Sequence, residues 1–163
     1  MYTDQELTEL IACEKRISAP PRKELRIEGQ MLRNDMDLQS LDGRESFHVF
    51  MRQSRQLPEN FSIGLTYISA SEPGNICLIR YNGMHGGSVA HPHHATCHIH
   101  RCIAEDVNAG IRIERHIVVA SDYAAYRDAL RSFLLATGVQ STDLATHFPG
   151  IMHDDLFGEE MPL

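Results

Sequence analysis

Between Arg22 and Ala120 apolar side chains recur at every second position, in short segments punctuated by glycine and proline. That period commits the middle of the chain to β-sheet. Phe61, Ile63, Leu65 and Tyr67 alternate with Ser62, Gly64 and Thr66. Leu25, Ile27 and Met31 alternate with Arg26, Glu28 and Gln30, where Gly29 predicts a bulge or bend in one long strand. Asp42-Gly43 is a two-residue hairpin signal. Glu72-Pro73-Gly74-Asn75 places proline and glycine at the centre of a type II turn. A third hairpin is expected from Cys97 to Ile103 and from Ile111 to Ala120, closed across 104–110.

The period changes at both ends. Thr3-Asp4-Gln5-Glu6 has the form of a capping box, and Leu7, Leu10, Ile11, Glu14 and Ile17 follow at spacings of three and four. They predict a helix over about 3–17, ended by Ser18-Ala19-Pro20-Pro21. Ser121 and Asp122 open a second helix over 122–137, striped by Tyr126, Leu130, Phe133 and Leu134 and stopped at Gly138. Ser141 to His147 reads as a short helical piece. The expectation is therefore an α+β fold, with a single antiparallel sheet of about six strands and an N-terminal and a C-terminal helix packed against it. With 163 residues, 42% of them hydrophobic, one domain over 1–163 suffices, with an acidic tail at 154–163 expected to be mobile.

The formal net charge is −7, and no basic run exceeds Arg22-Lys23, which disfavours sequence-independent binding to nucleic acid. A small local RNA site, or an acidic surface docking on a basic partner, remains compatible with it. Residues 1–25 contain no apolar run long enough for a signal peptide or membrane helix, so a cytoplasmic protein with no membrane partner is expected. Cys13, Cys77, Cys97 and Cys102 form no C-x-x-C pair and are expected as reduced thiols. A homo-oligomer is left open.

Six of the ten histidines fall within 83–102: His85, His91, His93, His94, His98 and His100. If Ile103 pairs with Ile111, His100 stands opposite Glu114 and His98 opposite His116, bringing four groups to one patch with Cβ atoms roughly 5 Å apart. His98, His100 and His116, with Glu114 beside them, match the ligands of zinc or another divalent metal. The same patch also suits metal-free catalysis, in which two imidazoles act as general base and acid on a ribose hydroxyl and a leaving oxygen. Arg80 and Arg101 are the candidate phosphate contacts. His91, His93 and His94 read as a flexible, polar rim. P-loop, zincin, α/β-hydrolase and dinucleotide-binding motifs are absent, and the H-x-H-x-H of histidine-triad hydrolases is broken by Arg101.

Leu78-Ile79-Arg80-Tyr81-Asn82-Gly83, a histidine-bearing loop, Cys97-His98-Ile99-His100-Arg101 and the Tyr126–Leu134 stripe together resemble small bacterial and prophage proteins, some of the TumE type of toxin. The resemblance covers about residues 61–138. It implies a ribonuclease-type toxin of a toxin–antitoxin module, blocking growth by cutting RNA and held in check by a DNA-binding antitoxin. Two alternatives stand beside it. One is a non-enzymatic prophage interaction protein whose acidic surface inhibits a host defence complex, and the other is a zinc-stabilised binding module.

Overall fold

Alternation becomes strand through most of the middle of the chain, with the third hairpin shorter than expected. The computed structural model describes residues 1–70, 74–112 and 114–152. The order is α1 (Asp4–Ala12), β1 (Lys15–Ala19), β2 (Arg26–Glu28), β3 (Met31–Ser40), β4 (Ser46–Ser54), β5 (Phe61–Ile68), β6 (Ile76–Asn82), β7 (His98–Arg101), α2 (Ala104–Asn108), β8 (His116–Val119), α3 (Tyr126–Ala136), α4 (Ser141–His147) and α5 (Pro149–Met152). The α+β class and the single antiparallel sheet are as expected, but the described residues form eight strands rather than about six. The neighbours run β1-β3-β4-β5-β6-β7-β8, and β2 also pairs with β3.

The two extra strands come from the N-terminal third. Gly29 is not a bulge: with φ +61° it begins a two-residue turn that folds β2 back on β3, Glu28 facing Met31. The helix predicted to residue 17 stops at Ala12, and Lys15 to Ala19 lie along the other half of β3, Lys15 facing Ser40. The capping box itself is present, the Thr3 hydroxyl accepting from the Glu6 amide while the Glu6 carboxylate accepts from the Thr3 amide. The β3–β4 hairpin forms around Asp42 and Gly43, although its connection spans residues 41–45 rather than two. Gly74 adopts φ +94°, the left-handed value a type II turn needs, while Glu72 and Pro73 lie outside the described residues. The 154–163 tail lies outside them as well.

One face of the sheet carries the core. Leu7 and Ile11 of α1, Leu130, Phe133 and Leu134 of α3 and Leu144 of α4 join Met36, Val49, Ile63, Leu65 and Tyr81, all buried. Tyr81 packs between Phe133 and Tyr123, with ring centroids 5.6 and 5.4 Å away. Arg101 reaches toward the same side, its Nη2 donating to the Thr8 hydroxyl of α1 at 2.6 Å. Because successive strand residues point to opposite faces, His98 and His100 project from the other side. No helix among the described residues is long and apolar enough to cross a membrane.

The third hairpin departs most from expectation. Residues 104–108 form α2, which buries Ala104 and Val107, and its Ala104 amide donates to Asp4. Asp106, also buried, accepts from Arg115 through Nε at 2.8 Å and through Nη2. With α2 and this ion pair between the two strands, the register is shifted by three. Pairs in the expected register sum to 214, whereas His98 faces Val119 and Arg101 faces His116, summing to 217. The second helix starts at Tyr126 rather than at 122 because Tyr123 turns inward, its hydroxyl lying 3.0 Å from both the Asn82 and His98 carbonyls.

Candidate metal centre

The site begins where β6 ends. The Gly83 amide donates to the Phe61 carbonyl at 3.0 Å, so close that a Cβ on residue 83 would stand 2.0 Å from the Glu59 carbonyl oxygen and 2.6 Å from the Phe61 ring. Only glycine passes there. Gly83→Ala is expected to destabilise the fold by about 1–3 kcal/mol, as overpacking does. Thermal unfolding measures it, and an unchanged midpoint would contradict this account of the crossing.

Beyond Gly83 the loop is pinned rather than loose, which corrects the expectation of a flexible rim. The His85 amide donates to the His94 carbonyl at 3.0 Å, Ser88 and His91 exchange backbone hydrogen bonds, and Pro92–Ala95 form one 3-10 turn. The turn returns His93 and His94 over the histidines of β7. Ring centroids lie 5.0 Å apart for His93–His98, 5.6 Å for His93–His100, 5.0 Å for His98–His100 and 4.1 Å for His85–His94.

Three of these imidazoles are fixed in one tautomer. The Nδ1 of His98 lies 2.8 Å from the Thr96 carbonyl, that of His100 lies 2.8 Å from the Glu114 carbonyl, and that of His85 lies 3.0 Å from the Gly83 carbonyl. A carbonyl only accepts, so each Nδ1 carries a proton and the lone pair of the neutral ring lies on Nε2. Ligating histidines are characteristically oriented in this way. His98 is 0% exposed, and its Nε2 is buried with no hydrogen-bond partner. An orphaned acceptor amid other imidazole nitrogens calls for a ligand.

Among the described residues three histidine groups have one ligand atom from each member within 4.8 Å of the others: His85/His94/His98, His93/His98/His100 and His91/His93/His94. Zn–N bonds of about 2.0–2.1 Å place tetrahedral ligand nitrogens about 3.3 Å apart, so side-chain rotation closes the gap. Burial, then neighbouring imidazoles, lowers His93 and His94 below the usual histidine value. Burial pushes His98 down to about 4 against the opposing hydrogen bond to Thr96, so it is neutral at physiological pH. Burial pushes the Cys102 thiol up to about 11 and raises Cys97 too, and neither belongs to the histidine groups.

The sequence-predicted residues separate. His98 and His100 are in the cluster. His116 is not: directly opposite Arg101, it belongs to the helix-bearing face and is exposed. Glu114 is buried near the site, but its carboxylate meets Arg80 Nη2 at 3.2 Å and only its backbone carbonyl touches His100. Arg80 thus makes the carboxylate contact rather than standing free for phosphate, and Arg101 is held by Thr8. His85, His91, His93 and His94 take the places assigned to His116 and Glu114. Their signal was density alone. His85 also lines a cleft of about 430 Å³ with Leu57, Glu59, Asn60, Met84 and Ala95, and no lysine or arginine lines it. No protein-family model, curated protein or solved structure matches the chain.

Proposed function

We propose that the histidine cluster is a divalent-metal centre, with zinc the ion its donors suit best, and that the protein is a metal-dependent hydrolase. The observation that carries this reading is the buried, unpartnered Nε2 of His98, its tautomer fixed by Thr96 and its neighbours all imidazoles. Three neutral nitrogen donors with no carboxylate or thiolate are the ligand type of catalytic zinc sites, which keep a fourth position for water. A bound ion there would lower the pKa of that water toward neutrality. The chain's own part is to hold His98 and His100 rigidly on β7, to orient them through the Thr96 and Glu114 carbonyls, and to leave the half-exposed His93 and His94 facing the solvent side.

RNA as the substrate, and with it the toxin reading and its antitoxin partner, rests on the resemblance to TumE-type proteins. The bonds from Arg80 Nη2 to Glu114 and from Arg101 Nη2 to Thr8, and the lack of lysine or arginine in the adjoining cleft, favour a less anionic substrate. The test uses untagged protein stripped by chelator, titrated with zinc in a calorimeter and then incubated with single-stranded RNA with and without the ion. About one equivalent of zinc is expected, with dissociation below about 1 μM, equivalent to roughly 8 kcal/mol. Failure to bind zinc, cobalt or nickel removes the metal centre. Binding without RNA cleavage or growth arrest on expression removes RNA as the substrate and keeps the centre.

A further inference from the structure

The three histidine groups overlap in a pattern that sets both the stoichiometry of the site and a route through it. His85/His94/His98 and His91/His93/His94 share His94, His91/His93/His94 and His93/His98/His100 share His93, and His85/His94/His98 and His93/His98/His100 share His98. Every pair of groups shares one imidazole, and a neutral imidazole has a single nitrogen lone pair to give. For His98 the reason is explicit, since Nδ1 is engaged by the Thr96 carbonyl and one lone pair remains, on Nε2. Two ions therefore cannot both have three imidazoles.

The groups also differ in depth. His91/His93/His94 has no fully buried member, whereas the other two groups both contain the fully buried His98, with His85 of one of them exposed beside it. Ring centroids continue inward, with His91–His94 at 4.9 Å, His93–His94 at 4.4 Å and His93–His98 at 5.0 Å.

We propose, resting on the metal-centre reading above, that the cluster is a single-ion track: His91/His93/His94 captures a divalent cation at the surface and passes it to the His98 positions by ligand exchange. Because adjacent positions share His93 or His94, the ion keeps one imidazole throughout each transfer and is never released bare. No bond to hydrogen or carbon changes, and no redox step occurs. Neutral imidazoles displace one another and water on one cation. The same route runs outward, so it speeds release by the same factor as capture and leaves the affinity of the final position unchanged.

The track separates rate from affinity. Cobalt(II) chloride serves as the probe, because its visible absorption follows coordination by nitrogen during stopped-flow mixing with untagged full-length protein. Wild-type protein should bind one equivalent. His91→Ala, a change on the exposed loop, should slow binding and release together by about tenfold or more and leave the dissociation constant within about threefold, since a route is lost and the final position is not. His100→Ala should weaken binding chiefly through faster release, with circular dichroism confirming the fold. Two equivalents of equal affinity, an unchanged rate in His91→Ala, or a dissociation constant that rises with the lost rate would overturn the track while leaving the metal centre standing. No cobalt or zinc bound to the wild type would remove both.

Discussion

Replacing His98 with alanine is expected to abolish high-affinity metal binding, and replacing His116 is expected to leave it unchanged. Zinc sites bind with about 10–16 kcal/mol in total, so one of three or four ligands carries on the order of 3–4 kcal/mol, or about 10²–10³ in affinity. His98 should stand at the upper end, because it belongs to both inner groups and its loss dismantles them together. His93→Ala should cost less, since His85/His94/His98 remains intact. His98 is wholly buried, so its replacement also opens a cavity. The half-exposed His93 and His100 variants keep the expectation testable if His98→Ala folds poorly. Calorimetric titration reads the series. Equal affinities for His98→Ala and wild type would refute the site, and a large loss in His116→Ala would restore the hairpin register expected from sequence.

That contrast shows how far the site was legible. The density of histidines over 83–102 marked the right stretch, and strand alternation correctly put His98 and His100 on one face. The partners were misplaced because register depends on what lies between the strands. A helix of five residues, Ala104–Asn108, has too few turns to display a period, and its N-cap, Ile103, bears no capping side chain. The Asp106–Arg115 pair that closes the segment is an ordinary exposed-looking charge pair in one dimension and a buried carboxylate in three. The loop histidines were discounted for their glycine and proline neighbours. Those residues instead supply the tight crossing at Gly83 and the 3-10 turn that fold the loop back over β7.

The fold was more legible than the site for a simple reason. Each alternating segment carries its own evidence for a strand, whereas convergence of side chains requires several segments to be placed at once. β5 and the β3–β4 hairpin follow from pattern and turn residues alone, as does the stop at Gly138, where φ is +72°. What pattern missed was the short β1. Its sequence, Lys15-Arg16-Ile17-Ser18-Ala19, continues the spacing of α1 through Ile17, and nothing local says that the helix has ended. The cause is tertiary and lies in one side chain.

Lys15→Met is expected to be the most destabilising single change outside the histidine site. A lysine in a run of helical spacing reads as solvated, yet Lys15 is 0% exposed. Among the described residues no carboxylate forms an ion pair with it. Its Nζ donates instead to the carbonyls of Ile11 at 2.8 Å, Cys13 at 2.8 Å and Thr137 at 2.9 Å, and sits 4.6 Å from the centroid of the Phe47 ring. Three donors meet three acceptors at the ends of α1 and α3, where helix dipoles place partial negative charge. Desolvation accordingly lowers its pKa, the contact with Cys13 opposing the shift. Methionine fills the volume but strands three buried carbonyls, each costing about 1–3 kcal/mol, partly offset by removing the desolvated cation. A net loss of about 3–5 kcal/mol is a large share of the 5–15 kcal/mol available to such a domain. Lys15→Arg should also destabilise, since a planar fork cannot reproduce three converging bonds around one nitrogen. Urea unfolding measures both, and a methionine variant within about 1 kcal/mol of wild type would show that water or rearranged helix ends satisfy those carbonyls. Because β3, β4, β5 and β6 lie between β1 and β7 in the sheet order, zinc affinity under native conditions should survive in both variants.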